Sequence, residues 1–459
     1  MSVADRVPVL AHRDLARPVA WRAGKPVSAG EFLGQAMALA ERLPVGRHLF
    51  NLCEDRYRFA VTFAAALIAG KTNLFPASRH DQALASVAAA HPDAGAVAEE
   101  PIAVLGERVL HFPDDLDRTP WSGPVPAFPA EHPAALVFTS GTTGTPQPNL
   151  KRWGQLCITG KAACAALGLA DLDGFNVLGT VPAQHMYGFE STVLLPFATG
   201  GAFHPARPLF PRDVQTALEE MPAPRVLVTT PIHIRACVDA GVLLPPLAAI
   251  VSAAAPLAPE LAAEAERRYA TPLMEIYGFT EAGQVAVRRT TASLVWNTMP
   301  GIRVVAAGDG FAVEGGPVHG RVPFSDIVRR VSETEFALEG RATDLVNVAG
   351  KRASLADLNR ALAAIPGVLD GVFHMPERAR GRVDRLMAFV VAPDRSKREI
   401  LAALRRAVDP AFLPRPLVKL EHLPRAPTGK LPLEALRKLE ADARAVRVRR
   451  RAPALHDGD

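Results

Sequence analysis

Apolar and polar positions from residue 1 to about residue 340 form two alternating patterns, short apolar runs and longer amphipathic stretches. The runs at residues 134–138 and 226–228 predict buried strands, and the Ala- and Glu-rich stretch at residues 257–269 predicts a helix. The longest apolar stretch, residues 59–70, is too short to span a bilayer and predicts a buried helix. Strands that alternate with helices predict an α/β architecture with covered sheets.

The pattern changes near residue 303. Residues 303–339 contain short Val- and Phe-rich runs separated by glycines, which predicts a small β-subdomain. A polar joint at residues 341–344 then leads into a smaller α+β region. The elements predicted in that region are helices at residues 355–364 and 397–408 and strands at residues 369–373 and 386–391.

The length and composition define the domain organisation and the class of protein. A chain of 459 residues exceeds one compact core, so we predict a large N-terminal domain at residues 1–342, a small mobile C-terminal domain at residues 343–445 and a basic, flexible tail at residues 446–459. An apolar content of 49% and a charged content of 22% indicate an ordinary globular protein. The N-terminus lacks a signal-peptide pattern, and the four scattered cysteines lack metal-ligand spacing. We therefore expect a cytoplasmic protein with reduced cysteines and no membrane span.

The net charge of +5 is unevenly distributed. Residues 343–459 carry 23 Lys and Arg against 14 Asp and Glu, a net charge of +9. A basic final quarter predicts an acidic partner for that part of the chain. We expect no nucleic-acid partner.

A cluster of hydroxyl side chains and glycines follows the strand predicted at residues 134–138. Residues 139–146 read Thr-Ser-Gly-Thr-Thr-Gly-Thr-Pro, and such residues offer backbone N–H groups and small hydroxyl donors to phosphate oxygens. The alternative is a polar surface loop, which is what Ser/Thr/Gly clusters most often form. No Lys follows the second glycine, so the segment does not match the common mononucleotide-binding loop.

The order of residues 140–146 resembles the phosphate loop of the adenylate-forming superfamily, which includes acyl- and aryl-CoA synthetases, peptide-synthetase adenylation domains and luciferases. The resemblance implies an ATP-binding segment, with Thr142 also beside Mg²⁺. The residues it assigns to the nucleotide phosphates are Thr139, Ser140, Gly141, Thr142, Thr143 and Gly144. One departure is Gln147-Pro148, where the family usually has Lys-Gly, and Lys151 or Arg152 would have to supply the missing charge.

Residues 275–283, Glu-Ile-Tyr-Gly-Phe-Thr-Glu-Ala-Gly, form a second motif of that superfamily. A Tyr face can stack on adenine, and a Glu can bind Mg²⁺, which prefers oxygen ligands. Without the first motif, an ordinary Gly turn would explain these residues equally well. The resemblance implies that Tyr277 lies beside adenine, Thr280 contacts the α-phosphate and Glu281 holds Mg²⁺. The other residues that it assigns to the nucleotide are Glu275, Gly278, Ala254 and Ala255, and the usual glycine of the upstream turn is Ala253 or Ala254.

His185 lies in the pattern Pro-x-x-His-x-x-Gly. A lone His is more often structural than catalytic, but the resemblance places this one near the carboxylate of the acid substrate, where a donor can neutralise charge. The residues that we expect to line the acid pocket are Tyr187, Phe189, Glu190, Thr230, His233 and Ala253. One Tyr, one His and small residues favour a compact ring with polar substituents over a long alkyl chain.

Further matches lie in the final third of the chain. The resemblance implies that Asp326 binds the ribose hydroxyls, that Arg341 contacts ribose or phosphate, and that Thr343 is the hinge between domains. Gly350 and Arg352 would face the thiol acceptor. Lys430, in Pro-Thr-Gly-Lys, resembles the lysine that reaches the carboxylate and the α-phosphate during adenylation.

The sequence thus predicts an ATP- and Mg²⁺-dependent ligase that activates a small carboxylic acid as acyl-AMP. The acceptor would be a phosphopantetheine thiol, either of CoA or of an acidic acyl carrier protein. The short frame and the altered loop resemble stand-alone ligases of aryl-polyene pigment clusters, which load an aryl acid such as a hydroxybenzoate. The alternative is a non-catalytic homologue that binds nucleotide or carrier protein as a scaffold. Gln147 supports that alternative, whereas Glu281 and Lys430 oppose it.

Overall fold

The computed structural model describes residues 6–116, 119–139, 147–308, 310–341, 345–348, 351–376, 385–426 and 431–449. The chain divides into two units. The first unit comprises Met1–Phe324 and Arg330–Ala337, and the second comprises Ser325–Arg329 and Leu338–Asp459. Within the described part of the chain, no helix has the length and apolar character needed to cross a membrane.

The strands up to the passage between the units are β1 (Arg6–Pro8), β2 (Pro18–Arg22), β3 (Lys25–Ser28), β4 (His48–Asn51), β5 (Thr72–Phe75), β6 (Gly95–Ala98), β7 (Val109–His111), β8 (Ala127–Pro129), β9 (Pro133–Thr139), β10 (Gln147–Arg152), β11 (Asn176–Gly179), β12 (Ala202–Phe203), β13 (Arg225–Thr229), β14 (Ala249–Ser252), β15 (Leu273–Phe279), β16 (Gly283–Arg289), β17 (Trp296–Thr298), β18 (Arg303–Ala307), β19 (Gly310–Gly315), β20 (Val318–Pro323), β21 (Asp326–Arg330) and β22 (Glu335–Arg341). The helices of the first unit are α1 (Ala29–Ala40), α2 (Arg56–Ile68), α3 (Asp81–Ala90), α4 (Trp153–Ala166), α5 (Met186–Phe189), α6 (Leu195–Thr199), α7 (Pro211–Glu219), α8 (Pro231–Asp239) and α9 (Pro259–Tyr269). A π-helical turn, Glu190–Leu194, joins α5 to α6.

Two sheets dominate the first unit. The larger has the strand order β22-β17-β16-β15-β14-β13-β11-β12-β2-β3, with parallel pairing from β15 through β11 and β12 to β2. The smaller has the order β10-β9-β5-β4-β6-β7 and is parallel except for β10 against β9. Strands such as β14 are buried along their whole length, as expected for parallel strands that helices cover on both faces.

Apolar helix faces form the core of the first unit. Helices α7, α8 and α9 pack on β11, β13, β14 and β15 through a shared cluster that includes Leu218, Ile234, Leu227 and Leu261. Local caps fix where helices begin. Ser28 forms a reciprocal capping box with Glu31 at the start of α1, and the Asp55 side chain accepts a hydrogen bond from the Arg58 N–H at the start of α2.

The second unit continues from β21 and β22 with β23 (Leu345–Val348), β24 (Lys351–Ser354), α10 (Leu355–Ala363), β25 (Asp370–His374), β26 (Met387–Val391), α11 (Lys397–Ala407), β27 (Leu417–Lys419) and α12 (Leu433–Arg449). Strands β25, β26 and β27 form one sheet, and β23 pairs with β24. Helices α10 and α11 share one apolar cluster with this sheet, and α12 shares another. A buried hydrogen bond of 2.8 Å between His374 Nε2 and the Glu440 carboxylate connects β25 to α12.

The fold class predicted from the sequence is confirmed, since the chain is α/β with several sheets and matches two-domain enzymes described below. The predicted β-subdomain contains a separate three-stranded sheet of β18, β19 and β20. Several element bounds differ from the predictions by one to three residues; helix α2, for example, begins at Arg56 rather than at residue 59. Strand β15 covers Leu273–Phe279 and pairs with β16 along its length. Helix α12 ends at Arg449.

Candidate active site

Most of the described candidate residues follow the carboxyl ends of four neighbouring parallel strands. Strands β11, β13, β14 and β15 are consecutive in the larger sheet. Carboxyl ends of parallel strands meet at one edge of a sheet, where ligands bind in open α/β folds. The segment with His185 follows β11, Thr230 and His233 follow β13, and Ala253 to Ala255 follow β14. The sheet therefore brings together motifs that are far apart in the sequence.

The turn that carries His185 folds back on itself. His185 is partly exposed and occupies the N-cap position of α5, and its carbonyl oxygen accepts a hydrogen bond from the Phe189 N–H at 2.8 Å. A Cβ atom on Gly188 would overlap the carbonyl oxygen of Pro182. The spacing Pro-x-x-His-x-x-Gly therefore has a local structural reason, because only glycine allows this close approach.

Tyr187 connects two of the strand ends. Its hydroxyl shares one donated proton between the carbonyl oxygens of Thr229 and Val251, each 3.0 Å from the phenol oxygen. Burial raises the pKa of Tyr187 well above its usual value, so the phenol stays neutral. These contacts hold the Tyr187 ring in place at the ends of β13 and β14.

His233 lies in a cluster of buried hydroxyl groups at the same edge. Its Nδ1 is 2.8 Å from the Thr180 hydroxyl and 3.3 Å from the Thr230 hydroxyl, and Thr180 donates to Thr229 at 3.0 Å. Burial lowers the pKa of His233, and the positive charge of Arg207 lowers it further. The imidazole is therefore neutral near pH 7, with one ring nitrogen as a hydrogen-bond donor and the other as an acceptor. Sequence reasoning missed Thr180, although it directly follows a buried strand.

The other residues expected in the acid pocket have different surroundings. Phe189 is fully buried and packs against Phe63, Phe75 and Phe59, with ring centroids 4.8, 5.1 and 5.9 Å away, so its ring belongs to the aromatic core. Ala253 is buried directly after β14. Glu190 is buried at the start of the π-helical turn.

Tyr277 lies in a group of aromatic rings near the end of β15. It stacks on Phe324 with centroids 6.2 Å apart and an interplanar angle of 29°, and it contacts Trp296 and Phe336 at 5.6 and 5.5 Å. A register shift of the β15–β16 ladder falls between Tyr277 and Gly278. Such bulges redirect side chains near binding sites. The ring is 8% exposed, so aromatic neighbours fix its orientation.

The turn after β14 contains one strained backbone position. Ala254 has a φ of +73°, in the left-handed region that favours glycine, and Ala255 follows it partly exposed. The sequence left open whether Ala253 or Ala254 takes the place of the usual glycine. The backbone angle identifies Ala254 as the residue with the glycine-like conformation.

The carboxylate of Glu275 is occupied by structural partners. It is 2.6 Å from the Arg288 guanidinium and accepts a hydrogen bond from the Thr290 hydroxyl. The Arg288 guanidinium in turn lies 4.3 Å from the centroid of the Trp296 ring. Glu275 is 3% exposed, so this carboxylate fixes the β15–β16 hairpin below Tyr277.

The turn between β15 and β16 carries Thr280 and Glu281. Thr280 is partly exposed and Glu281 is exposed. The backbone carbonyl oxygen of Glu281 accepts a hydrogen bond from Lys151 Nζ at 3.1 Å. Lys151 therefore contacts the turn beside Glu281, a position that the sequence did not predict for it.

The hydroxyl-rich segment lies between two antiparallel strands. Thr139 ends β9 and is opposite Gln147, the first residue of β10. A strand thus follows the segment, whereas a helix follows the common mononucleotide-binding loop. Ser140, Gly141, Thr142, Thr143 and Gly144 lie outside the described residues.

The remaining candidates belong to the second unit. Asp326 begins β21 and is partly exposed, Arg341 ends β22, and Arg352 lies in β24. Thr343, Gly350 and Lys430 lie outside the described residues.

A family model described as "AMP-binding enzyme" matches residues 47–311. This match covers more than half of the chain. The chain belongs to the AMP-binding enzyme family. The 4-coumarate–CoA ligase of Rhodobacter capsulatus is 31% identical over 276 residues, which cover 60% of this chain and 68% of that protein. The prediction of an adenylate-forming enzyme, an AMP-forming acid–thiol ligase, is confirmed at this level.

Solved structures share the fold of this AMP-binding enzyme. ATP-bound MatB from Rhodopseudomonas palustris has a TM-score of 0.79 and 18% identity, with 94% of this chain and 97% of that chain covered. O-succinylbenzoate coenzyme A synthetase (MenE) from Bacillus subtilis, in complex with ATP and magnesium ion, has a TM-score of 0.77 and 16% identity, with 90% and 95% covered. Both matches extend over the two units of the chain described above.

The family implies Mg²⁺, and Glu281 fits such an ion. Its carboxylate is exposed and makes no hydrogen bond or ion pair with a described residue, so its oxygens are available to a hard cation. No group of three or more His, Cys, Asp or Glu side chains within the described ranges could hold a metal ion. A single carboxylate suits Mg²⁺ that arrives with the phosphates of ATP.

Proposed function

We propose that this AMP-binding enzyme activates a small aromatic acid with polar substituents, such as a hydroxybenzoate. The carboxylate oxygen attacks the α-phosphorus of ATP, the bond to the β-phosphate oxygen breaks, and pyrophosphate leaves. A phosphopantetheine thiol then attacks the acyl carbon, the bond to AMP breaks, AMP leaves with the bonding electrons, and the thiol proton is released. When bound, Mg²⁺ neutralises phosphate charge.

The observation that carries the proposal is the convergence of His185, His233 and the Tyr277–Glu281 segment at one edge of the larger sheet. The part of this edge that is proposed to bind the acid substrate contains the neutral imidazole of His233 and the hydroxyls of Thr180 and Thr230. A polar substituent on a ring can exchange hydrogen bonds with this cluster. A long alkyl chain offers the cluster neither a donor nor an acceptor and gains no binding energy from it.

The proposed roles of the other residues follow the family. Ser140 to Gly144 would bind the triphosphate, Asp326 the ribose, and Lys430 the carboxylate and the α-phosphate. Gly350 and Arg352 would face the thiol after rotation of the small domain about Thr343. The acceptor is proposed to be CoA or an acidic acyl carrier protein, because residues 343–459 carry a net charge of +9. We also propose a cytoplasmic location, where the four free, buried cysteines would stay reduced.

ATP–pyrophosphate exchange over benzoates, short fatty acids and amino acids tests the activity and identifies the acid. Exchange with a hydroxybenzoate is expected to exceed exchange with the other two classes. Nucleotide binding without exchange for any acid would favour a non-catalytic scaffold, the function that Gln147 would suit. Transfer from the adenylate to CoA or to a holo-carrier protein then identifies the acceptor. A steep fall in transfer rate with salt is expected for the carrier.

Lys430 provides a separate test of the adenylation mechanism. Lys430→Ala is expected to abolish pyrophosphate exchange while it leaves thioester formation from a supplied adenylate intact, because the lysine acts only in the first half-reaction. Lys438→Ala, in the helix that follows, is the matched control and should leave both half-reactions unchanged. Normal exchange by Lys430→Ala would contradict the assigned role.

A further inference from the structure

Lys151 is a buried cation beneath the turn that carries Glu281. The lysine is 7% exposed, and its Nζ donates a hydrogen bond of 3.1 Å to the carbonyl oxygen of Glu281. Burial lowers the pKa of Lys151, while the nearby charges of Glu190 and Glu281 favour the ammonium form. Dehydrating an ammonium group is costly, so its burial requires compensating partners.

Glu190 is a buried acidic side chain near Lys151. It is 3% exposed and begins the π-helical turn directly after α5. Burial raises the pKa of Glu190 to about 7, against the opposing effects of Lys151 and of the hydrogen bond from the Gln284 backbone. A Cβ atom on Gly283 would lie 2.7 Å from Glu190 Oε1, so the carboxylate packs directly against the second half of the turn.

The space between these groups is small and polar. Lys151, Glu190 and Glu281 line a cavity of about 30 Å³, whose other lining residues are Leu150, Gln155, Leu156, Thr159, Ala282, Pro317 and His319. A cavity of this size with several polar groups accommodates about one water molecule. Charged side chains of β10 and of the π-helical turn therefore lie beside the turn between β15 and β16.

Lys151 lies too far along β10 from residue 147 to take the place of the lysine that the superfamily usually has there. Gln147 and Lys151 lie on the same face of β10, four residues and therefore about 13 Å apart along the strand. Arg152 is paired instead with Glu131 at 2.8 Å. Both cations that sequence reasoning considered as substitutes at the phosphate loop thus have other partners in the structure.

We propose that Lys151 and Glu190 are positioning residues for the nucleotide turn. Lys151 holds the carbonyl group of Glu281 and so orients the neighbouring carboxylate toward the Mg²⁺ that would arrive with ATP, and Glu190 packs against Gly283 at the other end of the turn. Glu190 directly follows the segment of His185 and Tyr187. Lys151 and Glu190 therefore also connect that segment, which is proposed to bind the acid, to the turn of Glu281, which is proposed to bind the nucleotide. This inference rests on the proposed function, in which Glu281 is the Mg²⁺ ligand.

Lys151→Met tests the inference because it keeps the alkyl chain and removes the ammonium group. Calorimetry measures the dissociation constants of a non-hydrolysable ATP analogue with Mg²⁺ and of AMP without metal, and a melting curve reports folding. We expect the affinity for the metal-loaded analogue to fall about tenfold, the loss typical of one charged hydrogen bond, while the affinity for AMP stays within about twofold. Lys161→Met, an exposed lysine of α4, is the matched control and should change neither constant.

Glu281→Gln completes a double-mutant cycle. If Lys151 acts through Glu281, Lys151→Met should add no further loss in the Glu281→Gln background. Additive losses, equal weakening of both ligands, or an unchanged affinity would overturn the inference. Glu190→Gln should weaken binding of the metal-loaded analogue in the same direction. The double change Lys151→Met with Glu190→Gln leaves no unpaired buried charge, so it provides a folded protein for the same measurement if the single variant unfolds.

The wild-type measurement separates this inference from the proposed function. A wild-type protein that binds no metal-loaded analogue overturns both. A wild-type protein that binds the analogue and exchanges pyrophosphate, with a Lys151→Met variant that binds it equally well, overturns only the role of Lys151.

Discussion

Replacement of Arg56 by Met is expected to destabilise the first unit strongly. Arg56 is 2% exposed, and its guanidinium donates hydrogen bonds of 2.7 to 2.9 Å to the carbonyl oxygens of Gly179, Val181, His204 and Ala206. Burial lowers its pKa to about 10, so the group remains charged at neutral pH. Each such bond contributes about 1.5–3 kcal/mol, but removal of the buried charge recovers part of that energy. The free energy of unfolding is therefore expected to fall by about 4 kcal/mol, within the range for disrupted buried charge networks.

The melting temperature provides the measurement. The first unit contains roughly 330 residues, for which an unfolding entropy of about 2.1 cal/mol/K per residue converts the loss into a decrease of about 6 °C. Arg58→Met, in the same helix, is the control, since Arg58 pairs at 2.8 Å with Asp114, whose side chain is 78% exposed. That change should cost no more than about 1 kcal/mol. Equal melting temperatures for the two variants would refute the reasoning.

The same Arg56 variant should also affect the acid site. Gly179 and Val181 lead from β11 to the turn with His185, so loss of the guanidinium frees this segment. We expect a higher KM for the acid in pyrophosphate exchange and a smaller change in the KM for ATP. Arg56→Lys, with fewer donors, should lie between wild type and Arg56→Met in both measurements.

Three further predictions concern single contacts. Gly188→Ala should lower the melting temperature and impair pyrophosphate exchange, at a cost of about 1–3 kcal/mol, because the new Cβ overlaps the Pro182 carbonyl oxygen; an active, equally stable variant would contradict the geometry. Tyr187→Phe removes a hydroxyl bonded to two backbone carbonyl oxygens and should cost about 1–3 kcal/mol in chemical denaturation, and a change below about 0.5 kcal/mol would contradict this. The hydrogen bond from His48 lowers the pKa of Asp93 to about 2, so the stabilisation is complete above the unfolded pKa near 4 and is lost as pH falls toward 2. Asp93→Asn should therefore show a deficit in stability at pH 5 that shrinks as the pH falls from 4 toward 2, and a deficit independent of pH over this range would exclude the Asp93 carboxylate as its source.

Apolar runs predicted the strands well because buried parallel strands leave few positions for polar residues. The runs at residues 134–138 and 226–228 became β9 and β13 with extensions of one residue at each end. Strand β10 was missed because its sequence, Gln-Pro-Asn-Leu-Lys-Arg, is polar. Pairing with β9, a tertiary effect, makes it a strand regardless of composition.

The burial of charged residues inside the first unit was not predicted for a related reason. The buried helix was predicted from residue 59, the first residue of the apolar run, whereas α2 begins three residues earlier at Arg56. Arg56 and Lys151 are both buried because backbone carbonyl oxygens distant in sequence accept their hydrogen bonds. Such acceptors exist at every residue and leave no signature in the sequence. The motifs around His185 and Tyr277 were found through their resemblance to motifs of the adenylate-forming superfamily.

The π-helical turn Glu190–Leu194 has a consequence for how this chain diverges from its relatives. A π-helical turn is a helix with one additional residue, so deletion of one residue from it restores α-helical spacing. Because the wide turn accommodates that residue locally, its deletion would leave α5 and α6 with nearly the same relative rotation. His185 and Tyr187 would keep their places at the sheet edge, whereas the Glu190 carboxylate would lose its position against Gly283. A single codon gained or lost at this turn is therefore a way for evolution to change the contacts of Glu190 without rebuilding the fold.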